Sequence, residues 1–450
     1  MDKRIFKIIK FWGMGTIKKI QRGLLNFERV VEHKRYWRAL RDSLTLLFPF
    51  VLIGTYISLV NQAIFQKNGF LNHIYGLSHW VPGFSQLTTY TSMLSQSING
   101  IIAVIAAFAA ANFVARSAQR DNLLAGISAA ISFMMLNFNY AVFNRRDANV
   151  SQFLENNLGT QGIFLALLVG LVTGWLFTHL VRRPHTHQAI ETQQHLLLRA
   201  RYNRLPLVVG VILFSGIGYG VSFVSKYGLN GLFYKVFTLP FINPGAMLST
   251  MLGTTVLSNL FWLIGIIGPV DYSGNSAIST VQNLQYALQH GSAWGAPNPI
   301  TLHTVFDSFA NVGGPGMTLA LVIAILWRSH NQSYRAVTKA SWLPAIFNFN
   351  QPLLVGLPIA YSPILAIPFV VTPMVTMVIS WAALKLQLMP PVVYPVDRTT
   401  PGFLIGWLGT GGDWRALVVS LINLLVATAI YLPFVLLANQ TEGTVVKDEA

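Results

Sequence analysis

The chain contains no cysteine, and only 15 of its 450 residues are Asp or Glu. The first absence excludes disulfides, thiol catalysis and cysteine-ligated metals. The second leaves charged residues of both signs at 10% of the chain, against about 25% in a soluble domain. So few charges cannot cover a water-facing surface, so much of this surface must face lipid. A P-loop, a Gly-x-Ser-x-Gly elbow and a zinc-protease helix are also missing, which excludes an ATP-driven pump within the chain. No cleavable signal peptide is expected, because the first long apolar run begins near Leu44 behind a region too long and too charged for one.

What is present is apolar and basic. Hydrophobic residues make up 53% of the sequence and the mean hydropathy is +0.51. Runs long enough to cross a bilayer as helices, about 20 residues each, are expected near 44–64, 97–117, 122–144, 161–181, 206–225, 246–270, 315–327, 364–384 and 415–438. They do not alternate with period two, which argues against a barrel. The net charge of +16 is concentrated in residues 1–41 and again at Arg182, Arg183, Arg199, Arg201 and Arg204, beside apolar spans. That is the positive-inside pattern of a multi-pass protein with a cytoplasmic N-terminus, and not a nucleic-acid footprint.

Residues 1–41 place Ile5, Ile8, Ile9 and Trp12 on one helical side, and Ile17, Ile20, Leu24 and Phe27 likewise, with Lys and Arg opposite. This reads either as an interfacial helix on anionic lipid or as a topology signal alone. Gly170 with Gly174, and Gly216 with Gly220, are spaced for close helix approach, either between two copies of the chain or within one.

The composition changes near residue 228. A moderately polar stretch follows at 271–314. Prolines then interrupt 344–363 (Pro344, Pro352, Pro358, Pro363) and 389–413 (Pro390, Pro391, Pro395, Pro401), the latter with Gly411-Gly412. Irregular backbone at membrane depth is tolerated only when buried in protein or lining a wet cavity, and interrupted apolar segments point to a transporter's binding site. The expected division is therefore a basic segment at 1–41, a scaffold and dimerisation half at 42–227, a substrate-binding half at 228–440 and a polar tail at 441–450.

Ionisable and amide groups in the second half are the functional candidates. Asp397 with Arg398, and Asp413 with Arg415, are close enough in sequence to pair locally. Phe347-Asn348-Phe349-Asn350-Gln351-Pro352 sets amides among apolar residues, and amides both donate to and accept from sugar hydroxyls. The substrate-contact set is Asn350, Gln351, Asn348, Arg398, Thr399, Thr400, Asn298 and Asp307, with Trp262, Trp294, Phe347 and Tyr394 able to stack on a sugar face or simply pack. His185, His187 and His195 lie in a basic loop with only Glu191 nearby, so neither a metal site nor a cofactor is expected.

Five ordered stretches carry a resemblance. They are Phe261 to Gly268, Asn311 to Leu319, Phe347 to Pro352 with Gly356-Leu357-Pro358, Thr399-Thr400-Pro401, and Thr410 to Arg415 closed by Ile430 to Phe434. Together they resemble the lactose/cellobiose/diacetylchitobiose branch of phosphotransferase enzyme IIC permeases. The resemblance implies an all-α polytopic membrane protein of the bacterial cytoplasmic membrane, a homodimer with about ten transmembrane helices per chain and two re-entrant hairpins in the C-terminal half. It implies inward carriage of a disaccharide that cytoplasmic IIB, charged through IIA, phosphorylates. The family usually has a histidine at Ile267, a glutamate at Gln351 and a tryptophan at Arg398. An amide cannot act as a general base. A second reading therefore stands beside the permease: a degenerate relative serving as a non-phosphorylating transporter, a sensor or a scaffold. An ion-coupled transporter is a third.

Overall fold

The computed structural model describes residues 22–28, 30–31, 33–140, 152–181, 193–225, 227–238, 247–263 and 276–448. Among them the regular structure is helical, with one isolated antiparallel bridge between Phe138 and Phe153. Six helices are long and apolar enough to cross a membrane. Shorter apolar helices span Asn122–Leu136, Leu248–Leu263, Thr318–Arg328 and Gln351–Tyr361. Each span expected from hydropathy has its helix. Most of the N-terminal basic segment lies outside the described residues.

The first half contains α1 (Arg35–Val60), α2 (Phe84–Asn99), α3 (Ile102–Ser117), α4 (Asn122–Leu136), α5 (Ile163–Leu180) and α6 (Gln193–Ser222). Its core is built on small residues. Ala103, Ala106, Ala107, Ala110 and Ala111 of α3 are fully buried. A Cβ at Gly170 of α5 would lie 2.6 Å from the Ala107 carbonyl oxygen, and one at Gly174 would lie 2.7 Å from Val114 Cβ. In lipid, where no hydrophobic drive separates helix from solvent, such close backbone approach is what holds helices together. The Gly170–Gly174 pair therefore packs within the chain, whereas Gly216 and Gly220 face open space.

The second half continues with α7 (Gly228–Thr238), α8 (Leu248–Leu263), α9 (Ser276–His290), α10 (Thr318–Arg328), α11 (Gln332–Ile346), α12 (Gln351–Gly356), α13 (Pro363–Lys385), α14 (Gly402–Gly409) and α15 (Trp414–Asp448). The polar stretch 271–314 is not simply loop. Residues 276–290 form α9, because Ala287 buries against Ala293, Ala296 and Val393 while the Gln and Asn side chains point elsewhere. A second core joins Val312, Met317, Leu321, Ile325, Leu353, Phe369 and Tyr431.

Two reversals shape this half. The chain enters at α11, turns at 347–350 and comes back through α12. It turns again so that the Val393 and Tyr394 amides both donate to the Gly409 carbonyl, at 2.8 and 2.9 Å, bringing the start and end of 393–409 together. One helix ties the cores to each other. Trp37 of α1 donates to the Tyr361 carbonyl at 3.0 Å, Tyr56 donates to the Ala340 carbonyl at 2.8 Å, and Phe48 fills the space beside Gly356.

Gly174→Leu should overpack the α3–α5 seam and cost about 1–3 kcal/mol. It should lower the melting temperature of the detergent-solubilised protein by several degrees, while Gly216→Leu leaves the monomer's melting unchanged. Equal melting for both variants would contradict the seam.

Candidate functional site

Three irregular turns converge where the second core is densest. The first, 311–317, carries left-handed backbone at Gly313, Gly314, Gly316 and Met317 (φ 85°, 94°, 78° and 53°). Such angles favour glycine. At Gly316 the close approach is also steric, since a Cβ would run into the Phe369 ring. The turn's backbone groups are met from three helices. Asn259 of α8 accepts from the Gly316 amide at 3.0 Å, Tyr431 of α15 donates to the Gly316 carbonyl at 2.6 Å, and Thr318 of α10 donates to the Gly313 carbonyl. Buried backbone polar groups must find partners, and here the helices supply them.

The second turn, 347–350, forms because Pro344 and the bonds from Phe347 and Phe349 to its carbonyl end α11, and Asn348 adopts φ 66°. Asparagine tolerates that conformation better than other non-glycine residues. The third turn, 397–401, closes through the Thr400 amide to the Asp397 carbonyl at 3.0 Å.

Asn348 and Asn350 join the three. Asn348 Oδ1 accepts from the Gly313 amide at 3.0 Å and its Nδ2 donates to the Thr400 carbonyl at 3.0 Å. Asn350 Nδ2 donates to the Pro315 carbonyl at 3.0 Å. Around this knot four buried polar atoms have no protein partner: Asn311 Oδ1, Asn350 Oδ1, Gln351 Oε1 and Thr400 Oγ1. An unmet buried polar atom costs about 1–3 kcal/mol, so these four are candidates for contact with a polar ligand or water. Gln351 also lines a cavity of about 60 Å³ together with Leu44, Val51, Ile163, Trp262 and Tyr361, at the junction of the two cores. Beyond Trp262 and Leu263, residues 264–275, including Ile267, lie outside the described residues.

The remaining candidates sit elsewhere. Thr399 is buried and accepts from the Phe70 amide at 3.1 Å, so the segment after α1 touches the third turn. Arg398 is exposed. Asp397 does not pair with it, but with His73 at 3.1 Å. Asp413 caps α15 by accepting from the Arg415 amide at 2.8 Å, and the Arg415 guanidinium lies 5.3 Å from the Trp294 ring centre. Neither local charge pair expected from sequence spacing forms, because each carboxylate finds a better-placed donor. Asn298 exchanges bonds with Asn283 at 2.7 and 2.9 Å, and Asp307 pairs with His303 at 3.2 Å. Both fix local structure away from the knot. Tyr394 packs with the small cluster around Ala287. Sequence reasoning passed over Asn311 as a contact and Asn259 and Tyr431 as supports. An asparagine buried within an apolar helix was the available signal for Asn259.

Comparison with known proteins adds four findings. The family described as "Phosphotransferase system, EIIC" matches residues 41–373. The oligo-beta-mannoside-specific EIIC component of Bacillus subtilis is 26% identical over 93% of this chain and 92% of its own length. The cellobiose-specific EIIC component of Lactococcus lactis is 25% identical over 96% of this chain and 99% of its own. The solved IIC component of an N,N'-diacetylchitobiose-specific phosphotransferase system aligns over 98% of this chain and 99% of its own, at 24% identity and a TM-score of 0.41.

Asn348→Ala removes two hydrogen bonds and places alanine at a positive φ. We expect a loss of about 2 kcal/mol, read as a lower melting temperature, together with loss of sugar binding by calorimetry. A variant as stable as the parent would mean that the knot is not held by this amide.

Proposed function

The chain belongs to the phosphotransferase system EIIC family and is a membrane sugar permease of its cellobiose/lactose branch, and on that premise we propose that it carries a β-linked disaccharide or short oligosaccharide inward and presents it to a cytoplasmic IIB protein. The carrying observation is the knot of three turns with four unmet buried polar atoms. Amides and a threonine hydroxyl are neutral and accept from or donate to hydroxyls, which suits an uncharged sugar. The named substrates of the relatives, cellobiose and oligo-β-mannosides, are of this type. These matches favour a transporter over a sensor or scaffold.

In this reading residues 228–440 are the transport half and 42–227 the scaffold and dimer-forming half. The reversal at 347–350 and the reversal at 397–401 are two re-entrant hairpins that enter from opposite faces and meet at mid-depth, within about ten membrane helices. The arginines support the orientation. Arg35 bonds to Ser117 and to the Val114 carbonyl, Asn203 bonds to Asp121, and the Arg328 carbonyl accepts from Asn439, so Arg35, Arg116, Arg120, Arg201, Arg204 and Arg328 share one end. That end is cytoplasmic by the positive-inside rule, with the N-terminus on anionic lipid. Asn350, Gln351 and Thr400 hold the sugar hydroxyls, and Asn348 positions the turns that carry them. Gln351 binds a hydroxyl without accepting its proton, so phosphoryl transfer draws its base from another group.

The test is uptake of radiolabelled β-disaccharide by vesicles supplied with the general phosphotransferase proteins, IIA and IIB. Sugar phosphate should accumulate only when IIB is present, and free sugar alone would remove the phosphorylating step. Gln351→Ala should weaken uptake about ten-fold, the loss of one to two hydrogen bonds. Gln351→Glu should raise the ratio of phosphorylated to free sugar.

A further inference from the structure

A second cavity is lined by none of the three turns and shares the start of α5 with the cavity beside Gln351. It has a volume of about 620 Å³ and is built from residues 153–164, before and at the start of α5, and 227–233, at the start of α7. Binding sites for small organic molecules fall mostly between about 300 and 1,000 Å³. No part of the segments 311–317, 347–351 or 397–401 contributes to it.

Its walls are fixed by local structure. The Phe138–Phe153 bridge, with the Asn139 amide donating to Gln152 at 2.9 Å and the Leu154 amide to Asn137 at 3.0 Å, forms one side. Asn157 is buried, and its Nδ2 donates to the Tyr227 carbonyl at 3.0 Å, tying the two segments together. Gly228 at φ 69° turns the chain there. The Asn230 side chain reaches the Gln161 carbonyl at 3.5 Å.

The lining is chemically distinctive. It combines the amides Asn156, Asn157, Gln161 and Asn230 with the aromatic faces of Phe153, Phe164 and Tyr227, and Glu155 is the one charged residue among the described residues of the lining. A site with a single carboxylate selects neither anions nor a strongly charged partner. Amides interleaved with aromatic rings suit a pyranose, whose hydroxyls pair with amides and whose C–H face rests on rings.

Position gives it a role. The segment 153–164 links the ends of α4 and α5 opposite Arg120, and 227–233 follows the end of α6 opposite Arg201 and Arg204. The cavity therefore lies towards the end of the molecule opposite the arginines, the end from which sugar arrives in the permease reading. We infer that this cavity is an outer carbohydrate subsite that captures a β-linked disaccharide before it reaches the three turns; the inference rests on the sugar-permease reading above. Capture raises the local sugar concentration at the entrance, so the subsite acts on the apparent affinity of uptake and not on its maximal rate.

The experiment uses the full chain in lipid nanodiscs and a cellobiose derivative bearing a photoactivated diazirine, with modified peptides mapped by mass spectrometry. Label should appear in 153–164 or 227–233 as well as around 347–351, and excess cellobiose should displace both. In Gln351→Ala the outer label should persist. Tyr227→Ala keeps the backbone carbonyl that Asn157 uses. It should reduce the outer label about five-fold and raise the KM for uptake by a similar factor, with kcat unchanged and the inner label intact. Label confined to the three turns overturns the subsite alone. So does outer label that excess cellobiose fails to displace, which would identify a greasy crevice for lipid. Label at neither place overturns the subsite and the sugar reading together.

Discussion

Backbone that is not helical cannot sit in an apolar interior unless every amide and carbonyl finds a partner, and this requirement organises the second half of the molecule. The 311–317 turn is held on three sides by Asn259, Thr318 and Tyr431. Only then can Asn348 and Asn350 reach its remaining groups and draw the 397–401 turn into the same place. Around these turns the side-chain oxygens of Asn311, Asn350, Gln351 and Thr400 are buried without a protein partner.

The first half meets a simpler condition. Its helices have few irregular segments and gain contact through alanine and glycine, so that α3 and α5 approach until their backbones nearly touch. A seam of this kind is rigid. The second half is cross-linked through side chains at three turns and joined to the first by contacts from α1 and the segment after it. The Phe70–Thr399 and His73–Asp397 contacts are among them. The two halves thus bury their polar backbone in different ways.

The amide at Gln351 gives the site its particular character. A carboxylate there would both bind a hydroxyl and take its proton, whereas an amide binds only. Its Oε1 lies buried among Leu44, Val51 and Trp262 without a protein partner. Such a group is expensive to keep without a partner, and a water or a polar ligand would supply one.

Much of this was legible in one dimension. Hydropathy located each long helix, because a span must be about 20 apolar residues and nothing else has that signature. Proline and glycine clusters marked the stretches that hold the turns, and the run from Phe347 to Pro352 marked the amides. Spacing alone misplaced the charges. Asp397 stands next to Arg398 in sequence yet pairs with His73, more than three hundred positions away, since only folding brings the segment after α1 against the third turn. Asn298 and Asp307 are each engaged by a neighbour on their own segment, which spacing did not announce. Sequence by itself determined the membrane class and the segments where regular helix is interrupted, because composition and backbone propensity act locally. Which atoms stay free to bind was decided only in three dimensions, because a hydrogen bond depends on what the rest of the chain places within 3 Å.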